Sequence, residues 1–243
     1  MKSFDGIAKS YDDLWFFSDD YQNWMLNKIL SYLMLGKNDL FADIGGGTGV
    51  VTEKLKKSIG LNKSPYCVEP SAEMIAEAKK YKDLICVNQE AEQFVVDKLE
   101  LDKVLIKETI HHVRDRVEFW NQLYAGSPNA RVLVITRPQK PGFPLFEEAY
   151  RSFSRYQPSI ELLEDEIKRA GLFCKVFKES WEVSLPKGNW FDMLRARFIS
   201  DLFEFSDDEI EAGISELSCR FQEEDVSFSD ELVFIMVSKF DDV

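Results

Sequence analysis

The chain has no apolar run as long as a membrane span, so no transmembrane helix is expected. Its opening stretch, Met1-Lys-Ser-Phe-Asp-Gly6, lacks the apolar centre of a secretory signal. Cysteine is sparse: Cys67, Cys86, Cys174 and Cys219 are scattered, with no C-x-x-C spacing. That excludes a disulfide framework and leaves the expectation of reduced thiols in a cytoplasmic protein. Histidine is scarcer still, with only His111 and His112. No further ligands stand at a recognisable metal spacing, so no metal is expected. Basic charge is in deficit: 30 Lys and Arg face 43 Asp and Glu, a formal net charge of -13. Phosphate-rich duplexes and anionic membrane surfaces attract the opposite balance, so neither nucleic acid nor membrane is expected as partner. Internal repeats and low-complexity tracts are also missing.

What is present is an ordinary globular composition, 45% hydrophobic and 30% charged over 243 residues, enough for one large domain with a sizeable core. Tyr21, Trp24, Met25, Ile29 and Leu33 recur at three-to-four residue spacing in an aromatic segment running from Phe4 to Leu35, which predicts a helix with one apolar face. Short apolar runs then alternate with helical patterns. Strands are expected at Leu40–Ile44, Tyr66–Glu69, Leu84–Asn88, Asp102–Lys107 and Arg131–Thr136, with helices from Thr48, from Ser71 and over Asp115–Tyr124. Gly60 is the expected stop of the first of these helices, Ser71 the N-cap of the second, and Gln89 to Glu92 an acidic turn. Alternation of this kind predicts a parallel sheet covered by helices on both faces.

The C-terminal third reads differently. Pro138, Pro141 and Pro144 mark an irregular stretch, followed by helices over Phe146–Phe153 and Ser159–Ala170. Phe173 to Leu185 alternates as a long strand with one wetter face, Trp190 to Phe205 is helical, and Ser206-Asp-Asp-Glu209 is a capping box opening another helix. Leu232–Val237 closes the pattern as a strand that, with the long one, would form an antiparallel edge hairpin.

The chemistry is concentrated in Leu40-Phe-Ala-Asp-Ile-Gly-Gly-Gly-Thr-Gly-Val-Val51. Strand, glycine turn and helix bring backbone N–H groups and a helix N-terminus against a ligand. The dinucleotide fingerprint G-x-G-x-x-G would need glycine at position 50, where Val50 stands. The stretch reads instead as Asp-x-Gly-x-Gly-x-Gly and resembles the first motif of the class I S-adenosylmethionine (SAM) dependent methyltransferases. Further matches follow in order. Glu69, at the end of the second strand, is similar to the acid that accepts hydrogen bonds from both ribose hydroxyls, a task suited to a carboxylate. Glu90-Ala91 matches the acid–Ala step at the adenine edge, and Lys107 to His112 the strand followed by a His-containing turn. The resemblance covers about residues 40–137 and implies a Rossmann-like seven-stranded sheet, mostly parallel with an antiparallel edge strand. It implies one methyltransferase domain over 1–243, with a helical cover (1–39), a SAM-binding core (40–137) and an acceptor-side lid, insertion and edge strands (138–243). It further implies a cofactor site of Tyr11, Asp43, Gly45, Gly46, Gly47, Gly49, Glu69, Pro70, Met74, Glu90, Ala91 and Lys107. Tyr11, in Ser10-Tyr-Asp-Asp13, is similar to a residue lying against the methionine end of SAM, or else anchors a loop.

The same resemblance points to a small-molecule acceptor, methylated at N, O or S. No Asn/Asp-Pro-Pro-aromatic motif follows the fourth strand, where Lys107-Glu108 stands, and no Pro-Cys nucleophile is present. Thr136-Arg137-Pro138 ends the fifth strand without the carboxylate that a Mg²⁺ site would take. His111 or His112 has a suitable pKa for a general base, and residues adjacent on extended chain point opposite ways, so one at most faces the acceptor. The aromatics Phe143, Phe146, Tyr150, Phe153 and Tyr156 form either lid or core. Arg195 or Arg197 would hold a carboxylate, and Glu108, Glu147 or Glu148 a cationic amine, unless these are surface charges. The charge balance and the arginines favour an amine or a carboxylate-bearing metabolite. A non-catalytic binding module of the same fold is the alternative; a nicotinamide enzyme is disfavoured by Val50.

Overall fold

The computed structural model describes residues 8, 9, 11–14, 17–97 and 99–241. Phe4 and Ser10, and the opening stretch Met1–Gly6, lie outside the described residues. In chain order the elements are α1 (Tyr11–Leu14), α2 (Asp19–Leu33), β1 (Phe41–Ile44), α3 (Val50–Ile59), β2 (Tyr66–Val68), α4 (Ala72–Ala78), β3 (Ile85–Val87), α5 (Ala91–Val95), β4 (Lys103–Lys107), α6 (Arg116–Gly126) and β5 (Arg131–Thr136). Then follow α7 (Glu147–Tyr156), α8 (Ile160–Arg169), β6 (Phe173–Pro186), α9 (Lys187–Arg195), α10 (Asp207–Arg220) and β7 (Asp225–Ser238).

Seven strands form one sheet in the order β3-β2-β1-β4-β5-β7-β6. β1 to β5 are parallel, and β7 runs antiparallel to both its neighbours. The expected edge hairpin is therefore present, with its antiparallel member on the inner side. Buried parallel strands must be apolar on both faces, and β5 shows it. Val132 and Val134 join α5, α6 and α8 in one core, while Leu133 and Ile135 join α2 and α3 in another on the opposite face. Tyr21, Met25, Ile29 and Leu33 are the buried stripe of α2, as their spacing predicts.

Local chemistry sets the helix ends. Ser71, Asp115, Ser159 and Ser206 accept backbone N–H bonds as N-caps, and Gly60 closes α3 in the left-handed region. Three elements differ from the sequence reading. The acidic turn after β3 is the start of α5, because Glu90 and Gln93 form a reciprocal capping box. The helical stretch from Trp190 breaks at Arg197, which takes a positive φ of 54° and donates to Phe205 O and Asp207. β7 begins at Asp225, well before Leu232, because Val226, Phe228 and Asp230 alternate inward against β6.

That extra length places the site. β5 ends at Thr136, paired with Val233, so the β6–β7 pairing from Glu231 back to Asp225 overhangs the C-terminal edge of the parallel strands. α7, α9 and α10 pack on the overhang around Phe143, Phe146, Trp190, Phe198 and Phe228, a third core separate from the other two.

Candidate active site

Ligands of open α/β sheets bind beyond the C-terminal ends of the strands, and the principal cleft lies there, with a volume of about 290 Å³. Its floor is the turn after β1. Gly45, at φ 76°, turns the chain where a Cβ would meet Thr109 Oγ1 at 1.9 Å, so no side chain fits. Gly45 N and Gly46 N both donate to Val68 O, at 2.8 and 3.0 Å, which pins the turn to β2. Gly47 is also left-handed, and a Cβ there would meet nothing within 4 Å. Its surroundings are open on the cleft side, the arrangement that lets a ligand approach backbone.

Two carboxylates stand behind this turn. Asp43 is buried, accepts from Thr52 Oγ1 at 2.6 Å, and is pushed up to about 6 by burial, against the pull of Thr52 and Lys107. Glu69 accepts from Gly47 N at 3.2 Å through one oxygen and from Ser71 N at 2.9 Å through the other. Burial raises its pKa while these two backbone bonds lower it. Each oxygen keeps a lone pair, and the side chain lines the cleft. Further along, Met74, Glu90 and Ala91 form one end of the cleft with Gln89, whose Oε1 is buried without a partner.

Lys107 and Glu108 form the other end. Burial lowers the Lys107 pKa. Glu108 takes a φ of 52°, a strain of about 1–2 kcal/mol for a residue with a Cβ, while its N–H donates to Ile135 O at 2.8 Å. Glu108 Oε2 accepts from Arg137 Nε at 3.3 Å, and its Oε1 is buried without a partner. Arg137 is itself buried, lies 5.1 Å from the Phe143 ring centroid and pairs with buried Asp230, which holds its pKa above the usual range. Asp230 also accepts from Tyr21 OH at 2.8 Å, tying the helical cover to the overhanging hairpin. Over the glycine turn, Thr48 Oγ1 donates to Asp12 at 2.7 Å and holds α1 across the cleft.

The expected site residues are thus brought together with two exceptions. Tyr11, Asp43, Gly45, Gly46, Gly47, Glu69, Pro70, Met74, Glu90, Ala91, Lys107 and His112 line the cleft. Gly49 and His111 do not. Gly49 starts α3 at φ 77°, with Ala78 and Leu84 each 3.0 Å from where a Cβ would sit. His111 faces inward with Nδ1 unpaired, and burial lowers its pKa to about 3. Its ring lies 4.1 Å from that of His112. The two histidines fall in a 3-10 turn, Ile110–His112, and not in extended chain. Among the acceptor-side candidates, Phe143, Phe146 and Phe153 are core. Arg195 pairs with Asp192 and Glu211, Arg197 with Asp207, and Glu147 with Arg151, all outside the cleft. Among the described residues, no three His, Cys, Asp or Glu side chains converge as metal ligands would, and no helix is long and apolar enough to cross a membrane.

The family model described as a methyltransferase domain matches residues 42–126, from β1 through α6. Over that stretch the sequence matches a methyltransferase domain. No curated protein sequence matches it. Several solved structures share its fold. Phosphoethanolamine N-methyltransferase 2 of Haemonchus contortus, solved with phosphomonomethylethanolamine and S-adenosylhomocysteine, is 20% identical with a TM-score of 0.58, over 90% of this chain and 53% of that one. The chain thus spans about half the length of the Haemonchus protein. The YcgJ protein of Bacillus subtilis is 14% identical at a TM-score of 0.61, over 88% and 97% of the two chains. The cyclopropane synthase MmaA2 of Mycobacterium tuberculosis is 15% identical at 0.59, over 89% and 84%. The cleft also contains Tyr21, Gln22, Met25, Lys54, Gln89 and Thr109, which the sequence reading did not assign to the site. Tyr21 and Met25 were visible only as one side of the apolar stripe of α2.

Proposed function

We propose that this cleft binds SAM along its length and transfers the methyl group to a nitrogen, oxygen or sulfur of a small molecule. The observation that carries the reading is Glu69, held by Gly47 N and Ser71 N so that its remaining lone pairs meet a cis-diol. Gln89 Oε1, lacking a donor beside Glu90 and Ala91, suits the exocyclic amine of adenine. The open side of Gly47 suits the close approach of the chain between ribose and amino acid. Lys107 and Tyr11 then bracket the methionine end. Bound SAM supplies an electrophilic methyl group on a sulfonium. The protein aligns the acceptor for in-line displacement and excludes water, with α1 held over the cleft by the Asp12–Thr48 bond. His112, in the cleft, is the candidate base for an acceptor that must lose a proton; His111 is kept neutral and turned away.

Thermal unfolding with SAM, S-adenosylhomocysteine and NAD, each at about 100 times an expected dissociation constant, tests this. The two adenosyl ligands should each add about 2.7 kcal/mol and NAD nothing. Stabilisation by NAD alone, or by none of the three, contradicts it.

A further inference from the structure

Glu108 is an anomaly in the cleft wall. It is a non-glycine residue held at positive φ, it lines the cleft beyond Lys107, and its Oε1 is buried with no donor. Strain and an unsatisfied buried acceptor are both costs, and they persist only where surrounding structure imposes them. Here the imposing structure is visible. Arg137 grips Oε2, Asp230 grips Arg137, and Tyr21 donates to Asp230, so one side of the carboxylate is fixed and the other is left unused. The apparatus spans β4, β5, β7 and α2, far more than a surface acid needs.

On the SAM reading above, we propose that Glu108 Oε1 is the specificity determinant of the acceptor site and selects an amine nucleophile. The charge flow of the reaction gives the reason. The nitrogen lone pair forms the N–C bond, the C–S bonding pair returns to sulfur, and S-adenosylhomocysteine leaves neutral at sulfur. Positive charge moves from sulfur to nitrogen, and the new ammonium keeps its N–H until it is released to solvent. An N–H donating to Oε1 satisfies the orphan oxygen and meets that growing charge with a fixed carboxylate. An anionic phenolate or thiolate would instead be placed against Glu108. It would also sit in a cleft where seven Asp and Glu side chains face only two lysines, Lys54 and Lys107. Glu108 acts on the acceptor side and is distinct from Glu69, which serves the nucleoside end.

Glu108→Gln tests this sharply, because Arg137 Nε will hold the amide oxygen and present the NH₂ group where Oε1 was. Sinefungin, the SAM analogue with an amine-bearing carbon in place of the methylsulfonium, reports the transfer position. The wild-type protein should bind sinefungin at least tenfold more tightly than S-adenosylhomocysteine by calorimetry. Glu108→Gln should abolish that preference and leave S-adenosylhomocysteine affinity within threefold. A matched amine, alcohol and thiol set, assayed for S-adenosylhomocysteine release, should be turned over only at the amine. A preference for sinefungin that survives Glu108→Gln, or turnover of the alcohol or thiol without the amine, overturns the proposal. Loss of S-adenosylhomocysteine affinity in the variant also overturns it, by moving Glu108 to the cofactor. If the wild-type protein binds neither adenosyl ligand, the SAM reading itself falls.

Discussion

The two ends of this molecule are stabilised in opposite ways. Around the glycine turn, stability is given up. Asp43 is buried and pushed up toward neutrality, Gln89 and Glu108 keep unpaired oxygens, and Glu108 is strained. Around the overhanging hairpin, Phe143, Trp190, Phe198 and Phe228 interlock at ring separations of 5.1 to 6.1 Å, and Trp190 Nε1 finds Pro144 O at 3.1 Å. On the proposed function, the first region is arranged for a ligand that completes it, the second for rigidity. The distal core thus serves the cleft indirectly, by holding Asp230 and Arg137 in place.

The sharpest way to break this comparison is to cut the distal core. Trp190→Ala should lower unfolding free energy by about 3–5 kcal/mol, because it removes a fully buried ring and strands a carbonyl. Urea unfolding checks the loss. S-adenosylhomocysteine affinity, measured well below the transition, should change by less than about threefold. A proportionate loss of affinity would show that the two regions are one unit.

Asp43 gives a smaller effect of the opposite sign. Its folded pKa lies above that of an unfolded aspartate, so its contribution to stability is present below about pH 4 and is lost as pH rises through about 6. Asp43→Asn should remove this slope and gain as much as about 3 kcal/mol near pH 7, since the carboxyl is almost wholly buried. Unfolding free energies measured from pH 4 to 7 check it. Cofactor affinity should fall in the same variant. A variant at once more stable and a better binder would contradict the idea that this charge is kept for function.

Legibility in the sequence followed the range of the interaction. Arg131–Thr136, Gly60, Ser71 and the Ser206–Glu209 box are set by neighbours in the chain, and they stand as their patterns predict. The glycine turn was legible because its positive φ values and close contacts demand glycine, and Glu69 because it directly follows the strand next to that turn. α5 was hidden because Glu90 and Gln93 cap it by side-chain reciprocity within only five residues, too short for periodicity to register. The early start of β7 depends on pairing with a strand about forty to fifty positions earlier, and Leu232 was only where its apolar run became dense. The Arg137–Asp230 pair bridges 93 positions and has no local signature. Arg137 directly follows β5 with no sequence signature of a partner, and only the fold shows that it holds Glu108. The adjacent histidines read as extended chain, and the 3-10 turn that separates them follows Thr109, which lies against Gly45 and leaves no local signature.

Calorimetric titration of S-adenosylhomocysteine into wild-type protein and Glu69→Ala tests the central claim most directly. Removing a charged acceptor of two ribose hydrogen bonds should cost about 2–3 kcal/mol, close to a hundredfold in affinity. The thermal midpoint of the unliganded variant should stay within about 5 °C of wild type, because the freed Gly47 and Ser71 N–H groups face a cleft that water can enter. Equal affinity in the two folded proteins would contradict the placement of the cofactor, and with it the roles assigned to the cleft.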